Sequence, residues 1–232
     1  MIEAVVFDCD GTLLDSMPAW HAMQERLAQR AGVVLGEHEL DVLNANTLPE
    51  TAEFFHRECG LGASSQEVLE YARNMLMGEY LTSVLPREGA VSLVKRLHQD
   101  DVKLAVASSS PETFLRAGLT RAGIYDLFDV VASAEDEHQS KSTPRFFWSV
   151  AGRLGAMPQR IWGIDDSVYA LKAMKEAGFL TAGIYDSDNA GTRVGLLFAS
   201  DWYLDGFADL DYERFLSGDV GPDSQALAPY HL

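Results

Sequence analysis

AVVFDCDGTLLDS, residues 4–16, joins a short apolar run to two carboxylates, Asp8 and Asp10, and then to Gly11. The run is rich in β-branched residues and shows no polar alternation, which is typical of a buried strand in a parallel sheet. Residues two apart in an extended segment point the same way, so both carboxylates share one face. Their position predicts either an Asp-Gly turn or a site that uses both charges.

Strand-like runs recur along the chain, and helical periodicity separates them. They cover residues 2–7, 102–107, 129–132, 161–164, 180–185 and 202–204. Strands that alternate with helices predict right-handed βαβ units. We therefore expect an α/β fold whose core is a Rossmann-like, doubly wound parallel sheet.

Residues 16–86 interrupt this alternation, because their pattern is helical throughout. The stretch predicts several helices and no strand, so we expect an all-helical cap domain inserted into the sheet domain. The core domain would then comprise 1–15 and 87–216. Residues 217–232 contain Gly, Pro and Asp but little periodicity, and they predict a loosely ordered tail.

The composition is that of a globular protein with an acidic surface. Of the 232 residues, 47% are hydrophobic and 23% are charged, and the formal net charge is −17. Nucleic acids and anionic membranes both require a basic surface, so neither is expected as a partner. We expect a small phosphorylated metabolite as the partner, and a monomer or weak dimer as the oligomeric state.

Two features favour a cytoplasmic location. The N-terminus shows no basic segment followed by an apolar one, and no segment approaches the length of a membrane span. The two cysteines, Cys9 and Cys59, occur without a secretory signal, which indicates a reducing compartment.

Polar groups follow the predicted strands where each strand ends. In an open α/β sheet, ligands bind outside the carboxyl ends of the strands, so these groups would face one crevice. Taken singly, the lysine among them would be a surface residue and the serine a helix cap. Together they predict a site with carboxylates, a hydroxyl and an ammonium: Asp8, Asp10, Ser108, Lys141, Asp165 and Asp166.

Carboxylates from two strand ends would repel each other strongly without a cation. Mg²⁺ prefers hard oxygen ligands and often binds carboxylates together with a substrate phosphate, so we expect Mg²⁺ as the cofactor. Paired carboxylates also suit phosphoryl transfer, because one can attack phosphorus while the other transfers protons. Lys141 and Ser108 would stabilise the phosphoryl oxygens.

Four ordered motifs resemble those of the haloacid dehalogenase superfamily of phosphohydrolases. They are Asp8-x-Asp10-Gly11-Thr12-Leu13-x-Asp15-Ser16, the apolar run into Ser108-Ser109, Ser140-Lys141-x-x-Pro144, and Ile164-Asp165-Asp166-Ser167. The resemblance extends from about residue 2 to residue 204. The insertion between the first two motifs resembles the α-helical C1 cap of subfamily I, the branch that contains phosphoglycolate phosphatase and β-phosphoglucomutase.

The resemblance implies a role for each motif residue. Asp8 would be the nucleophile and Asp10 the general acid/base, and an aspartate at position 10 favours phosphoryl transfer over dehalogenation. Ser108 and Lys141 would contact the phosphoryl group. The implied Mg²⁺ ligands are the Asp8 side chain, the Asp10 carbonyl and Asp166, with Asp165 assisting through water. We expect further substrate contacts from Gly11, Ser109, Trp20 and Thr47.

The sequence departs from the family pattern at two places. Residues 140–145 read SKSTPR where family members usually have Gly-Lys-Pro-x-Pro-Asp, and Ala170 stands where a glycine is common. These changes should reshape the rim of the crevice without removing a catalytic group. Arg145 either assists an anionic substrate or faces solvent.

The cap would select the substrate. β-Phosphoglucomutase-like enzymes carry a histidine shortly after the first motif and a cap arginine for the second phosphate. Here Trp20 stands at the place of the histidine; it either lines the substrate pocket or is a buried residue of a cap helix. Residues 46–49 stand at the place of the arginine and include no basic side chain. This favours a Mg²⁺-dependent phosphatase that acts through an aspartyl-phosphate. A sugar-phosphate mutase or phosphotransferase is the alternative, and a non-catalytic binding protein on the same fold is the second.

Overall fold

The computed structural model of the chain describes residues 1–187 and 192–220. The strands in chain order are β1 (Ala4–Phe7), β2 (Leu14–Asp15), β3 (Leu85–Pro86), β4 (Lys103–Ser108), β5 (Val130–Ser133), β6 (Ile161–Asp165), β7 (Leu180–Ile184) and β8 (Trp202–Leu204). The helices are α1 (Met17–Ala31), α2 (Glu37–Ala45), α3 (Leu48–Arg57), α4 (Ser65–Thr82), α5 (Ala90–Gln99), α6 (Glu112–Arg121), α7 (Pro144–Leu154), α8 (Val168–Ala177), α9 (Arg193–Ala199) and α10 (Tyr212–Ser217).

Six strands form one parallel sheet in the order β5-β4-β1-β6-β7-β8. The first strand therefore lies in the middle, and the chain builds the sheet outward from it in both directions. This doubly wound, Rossmann-like arrangement confirms the predicted fold class. It also places the carboxyl ends of β1, β4 and β6 side by side, which is the usual ligand-binding edge of such a sheet.

Strand β1 is buried on both faces of the sheet. Ala4 and Val6 pack in the cluster that contains Phe146 of α7, whereas Val5 and Phe7 pack in the larger cluster on the other face. A strand covered on both sides needs apolar residues at every position, which explains the uninterrupted apolar run in the sequence.

Helices α1–α4 are inserted between β2 and β3, two short strands that pair antiparallel. The sequence predicted no strand within 16–86, and β3 at Leu85–Pro86 corrects that expectation. A two-residue strand has no periodicity by which a sequence could reveal it. The division of the chain at residues 16 and 86 stays a prediction.

The last helix of the described residues, α10, ends at Ser217, where the loosely ordered tail was predicted to begin. Residues 221–232 of that tail lie outside the described residues. Among the helices that the structure describes, none combines the length and the hydropathy needed to cross a membrane.

Candidate active site

Three neighbouring strands deliver polar side chains to the same edge of the sheet. Asp8 follows β1, Ser108 is the last residue of β4, and Asp165 is the last residue of β6. Lys141 comes from the loop between β5 and α7. All four side chains are buried, with relative exposures of 4% or less.

Lys141 joins the ends of β1 and β6 through two ion pairs. Its Nζ lies 2.6 Å from Oδ1 of Asp8 and 2.8 Å from Oδ2 of Asp165. Burial alone would lower the pKa of the lysine, but attraction to these two carboxylates raises it well above its ordinary value. The ammonium therefore stays charged at the centre of the site.

Asp8, Asp165 and Asp166 form a group of carboxylates that suits a hard divalent cation. Each offers one oxygen, and these atoms all lie within 4.8 Å of one another. Burial, opposed by Lys141 but reinforced by Asp165 and Asp166, raises the pKa of Asp8 well above its ordinary value. Three carboxylates around one ammonium leave an excess of negative charge. The residues present therefore fit a Mg²⁺ ion, which prefers oxygen ligands of this kind.

Gly11 lies against Asp166, and its backbone requires a glycine. It has a φ of +77°, and a Cβ at this position would collide with the Asp166 carboxylate. Thr12 donates a hydrogen bond of 3.3 Å to Oδ1 of the same carboxylate. The Asp-Gly-Thr segment thus shapes the place where Asp166 meets Asp8.

The Asp10 carboxylate accepts hydrogen bonds from four hydroxyls. Ser16 donates to Oδ1 over 2.7 Å, and Tyr80 donates to the same oxygen. Ser110 and Ser108 donate to Oδ2 over 2.6 and 3.4 Å. Its side chain is therefore not part of the carboxylate group at Asp8; its predicted contribution to a metal is its carbonyl.

Tyr80 is a site residue that the sequence did not reveal. It lies in the last turn of α4, is fully buried, and accepts a hydrogen bond of 3.0 Å from Nε1 of Trp20. Burial and the charge of Asp10 raise the pKa of Tyr80 well above its ordinary value, so the hydroxyl remains a donor. A lone tyrosine at the end of a helix carries no sequence signal for such a contact.

Arg87, directly after β3, was also missed. Its guanidinium donates to the carbonyl of Gly11 and, over 2.7 Å, to the carbonyl of Tyr185 after β7. It also lies 3.6 Å from Oδ2 of the buried Asp186. Arg87 thereby ties the glycine turn after β1 to the segment after β7.

A cavity of about 890 Å³ lies between the sheet edge and the inserted helices. On the sheet side, its lining includes Asp8, Asp10, Ser108, Ser109, Lys141, Asp166 and Lys172. From α1–α3 and their connections, its lining includes Met17, Trp20, Gln24, Leu43, Asn46, Thr47, Leu48, Pro49 and Glu50. Within this second set of described residues there is no lysine, arginine or histidine.

The predicted substrate contacts are distributed unevenly around this cavity. Ser109, Trp20 and Thr47 line it, although the Thr47 side chain also accepts a hydrogen bond from the backbone N–H of Glu50 and so caps α3. Gly11 is not part of the lining and contacts Asp166 instead. Arg145 is exposed and does not line the cavity.

The sequence model of the haloacid dehalogenase-like hydrolases matches residues 2–178. The chain belongs to this family. Hexitol phosphatase B of Escherichia coli is 33% identical over 189 residues, which cover 76% of this chain and 80% of the relative. Phosphoglycolate phosphatase of Pectobacterium atrosepticum is 27% identical over 214 residues, which cover 90% of this chain and 91% of that enzyme.

Solved structures of the haloacid dehalogenase-like family share the fold of this chain. A β-phosphoglucomutase from Clostridium difficile superimposes with a TM-score of 0.76 at 22% identity, over 94% of this chain and 97% of that one. CbbY from Rhodobacter sphaeroides, in complex with phosphate, also gives a TM-score of 0.76 at 22% identity, over 91% and 97% of the two chains. At these identities the likeness establishes the fold alone.

Proposed function

We propose that this protein is a Mg²⁺-dependent phosphatase that hydrolyses a small phosphomonoester through an aspartyl-phosphate. The observation that carries the proposal is the buried Asp8–Lys141 ion pair, which opens onto a large cavity beside Asp166 and Ser108. A carboxylate nucleophile next to an ammonium and a hydroxyl is the arrangement that phosphoryl transfer needs. The phosphatase names of the similar proteins support the same reaction class.

The proposed reaction has two steps. In the first, an oxygen of the Asp8 carboxylate forms a bond to phosphorus, the bond from phosphorus to the ester oxygen breaks, and Asp10 gives a proton to the departing alcohol. In the second, Asp10 takes a proton from a water that attacks the aspartyl-phosphate, which releases inorganic phosphate and restores Asp8. Lys141 and Ser108 stabilise the charge on the phosphoryl oxygens in both steps.

Asp8, Asp166 and the Asp10 carbonyl would hold the Mg²⁺, and Asp165 would assist. When bound, the cation neutralises charge on the phosphoryl group and on the carboxylates around it. Asp165 has a further task, because it accepts hydrogen bonds from the backbone N–H and hydroxyl of Ser167 and pairs with Lys141. It therefore orients the lysine toward Asp8.

The leaving group is proposed to be uncharged and hydroxylated, as in a polyol or sugar monophosphate. The described residues that line the cavity from α1–α3 combine apolar side chains with Gln24, Asn46 and Thr47, and the one charged side chain among them is the acidic Glu50. A second phosphate or a carboxylate would find no cation among these residues of α1–α3, whereas Lys172 lines the cavity from the sheet side. The similarity to hexitol phosphatase B supports this class. The similarity to phosphoglycolate phosphatase instead supports a leaving group that carries a carboxylate.

A phosphate-release screen tests the proposal. Wild-type protein with Mg²⁺ is tested on hexitol and sugar monophosphates, phosphoglycolate, nucleoside monophosphates and p-nitrophenyl phosphate. Asp8→Asn should lower turnover by several orders of magnitude with the fold intact. Asp15→Asn is the matched control, because Asp15 is exposed and lies outside the cavity lining.

Three outcomes would contradict the proposal. No phosphate release from any substrate would remove the phosphatase function and favour a binding protein. Turnover by Asp8→Asn at the wild-type rate would remove Asp8 as nucleophile. An isomeric hexose phosphate formed without phosphate release would identify the mutase alternative instead.

A further inference from the structure

The Asp10 carboxylate receives its hydrogen bonds from three parts of the chain. Ser16, which precedes α1, and Tyr80 of α4 donate to Oδ1. Ser108 and Ser110, at the end of β4, donate to Oδ2. The two oxygens of one carboxylate therefore face different surroundings. One faces the inserted helices, and the other faces the edge of the sheet where the phosphoryl group is proposed to bind.

The direction of the hydrogen bond at Tyr80 is fixed by Trp20. An indole N–H can only donate, so the Tyr80 oxygen is the acceptor in the 3.0 Å contact with Nε1 of Trp20. The hydroxyl proton of Tyr80 then points to Oδ1 of Asp10, its acceptor among the described hydrogen bonds. The serine hydroxyls at Oδ2 can rotate and either donate or accept, and Tyr80 lacks that freedom.

Packing holds the Tyr80 ring in this position. The ring stacks on Phe114 of α6 with centroids 5.1 Å apart and an interplanar angle of 21°. Gly118, one turn further along α6, leaves room for the ring, since a Cβ there would lie 3.1 Å from Cδ1 of Tyr80. Tyr80 is fully buried, so its hydroxyl is shielded from water where it meets Asp10.

We infer that Tyr80 is a positioning residue for Asp10: oriented by Trp20, it holds Oδ1 as an acceptor and turns Oδ2 toward the substrate as the oxygen that exchanges the proton. The inference rests on the proposed phosphatase function, and it adds a residue of the inserted helices to the acid/base apparatus. Tyr80 itself touches neither the substrate nor the cation in this scheme.

The consequence can be measured with leaving groups of different quality. Protonation by Asp10 matters most when the departing oxygen is a poor leaving group, as in phenyl phosphate. It matters little for p-nitrophenyl phosphate, whose leaving group departs readily as an anion. For both substrates, kcat/KM reports the steps up to the first irreversible one, the transfer to Asp8.

The experiment compares Tyr80→Phe with wild type on both substrates in the presence of Mg²⁺. Phenylalanine keeps the ring and its stacking on Phe114 and removes only the hydroxyl. We expect kcat/KM for phenyl phosphate to fall by about tenfold or more, and kcat/KM for p-nitrophenyl phosphate to fall by less than about threefold. Tyr71→Phe in the same helix is the matched control and should leave the ratio of the two values unchanged, because Tyr71 contacts Arg30 and does not line the cavity.

Each other outcome has a distinct meaning. An equal loss on both substrates would show that Tyr80 acts through general packing, and no loss on either would show that Oδ1 does not need Tyr80 beside Ser16. Both results overturn the inference while the phosphatase function stands. If wild type releases phosphate from neither ester and from no other substrate of the screen, the proposed function fails and the inference falls with it. Thermal unfolding of Tyr80→Phe separates these results from a failure to fold.

Discussion

Lys141 lies 2.6 Å from Asp8, although 133 residues separate them in the chain. The contact forms because β1 and β6 are neighbours in the sheet and Lys141 bridges their ends. Removing one member of a buried ion pair leaves an uncompensated charge, which costs far more than the pair contributes when it is intact. The stability of the sheet edge therefore depends on the same residues as the proposed chemistry.

Lys141→Met should lower the free energy of unfolding by roughly 3–5 kcal/mol, because the buried carboxylates of Asp8 and Asp165 lose their ammonium. Urea unfolding in EDTA measures this loss. Lys172→Met is the matched control: Lys172 is exposed at the rim of the same cavity, so its loss should change the stability by no more than about 0.5 kcal/mol. Equal stability of Lys141→Met and wild type would contradict the strong buried pairing.

Mg²⁺ should raise the midpoint of thermal unfolding, and EDTA should lower it and abolish turnover, because the cation binds the folded site. Asp166→Asn removes one of the carboxylates proposed to hold the ion and should weaken Mg²⁺ binding by about tenfold or more. Titration calorimetry measures the affinity, with Asp15→Asn as the control of equal charge change. Turnover that resists EDTA would remove the metal from the scheme.

Gly11→Ala should impair both stability and Mg²⁺ binding. Alanine in a left-handed backbone costs about 1–2 kcal/mol, and here the Cβ would also displace the Asp166 carboxylate. Gly32→Ala separates the two effects, because Gly32 has a φ of +70° and nothing within 4 Å of an added Cβ. If both variants bind Mg²⁺ equally well, the position of Asp166 does not depend on Gly11.

Gly118→Ala should destabilise the protein by about 1–3 kcal/mol, since its Cβ would press on Leu14 and on the Tyr80 ring. Gly78→Ala in α4 should instead stabilise it by about 0.5–1 kcal/mol, because that glycine lies in a helix and has open space around it. Urea unfolding of the two variants measures the difference. A stabilising Gly118→Ala would mean that α4 and α6 can move apart at little cost.

The sheet and the strand ends could be predicted because they depend on local patterns. A doubly buried strand must be apolar throughout, and alternation with helices fixes a parallel sheet, so Asp8, Ser108 and Asp165 were expected at one edge. Their side chains then meet through strand order rather than through any detail of side-chain conformation. Topology alone determined that part of the site.

Tyr80 and Arg87 could not be predicted, because their contacts depend on how the inserted helices approach the sheet. Seventy residues separate Tyr80 from Asp10, and helical periodicity says which face of α4 is buried but not which group its hydroxyl meets. The β2–β3 pair could not be predicted for a different reason. Two residues per strand are too few to show any alternation.

Because Leu14–Asp15 pairs antiparallel with Leu85–Pro86, the chain enters and leaves the four inserted helices at two neighbouring points. All four inserted helices could be exchanged for those of a relative by two cuts, one at β2 and one at β3, provided that the new last helix packed against α6. No strand of the main sheet would be cut, and Asp8, Lys141 and Asp166 would keep their places. New substrates could thus arise by recombination at two neighbouring points, with Asp8, Lys141 and Asp166 inherited unchanged and the contact of Tyr80 with Asp10 to be supplied again by the new last helix.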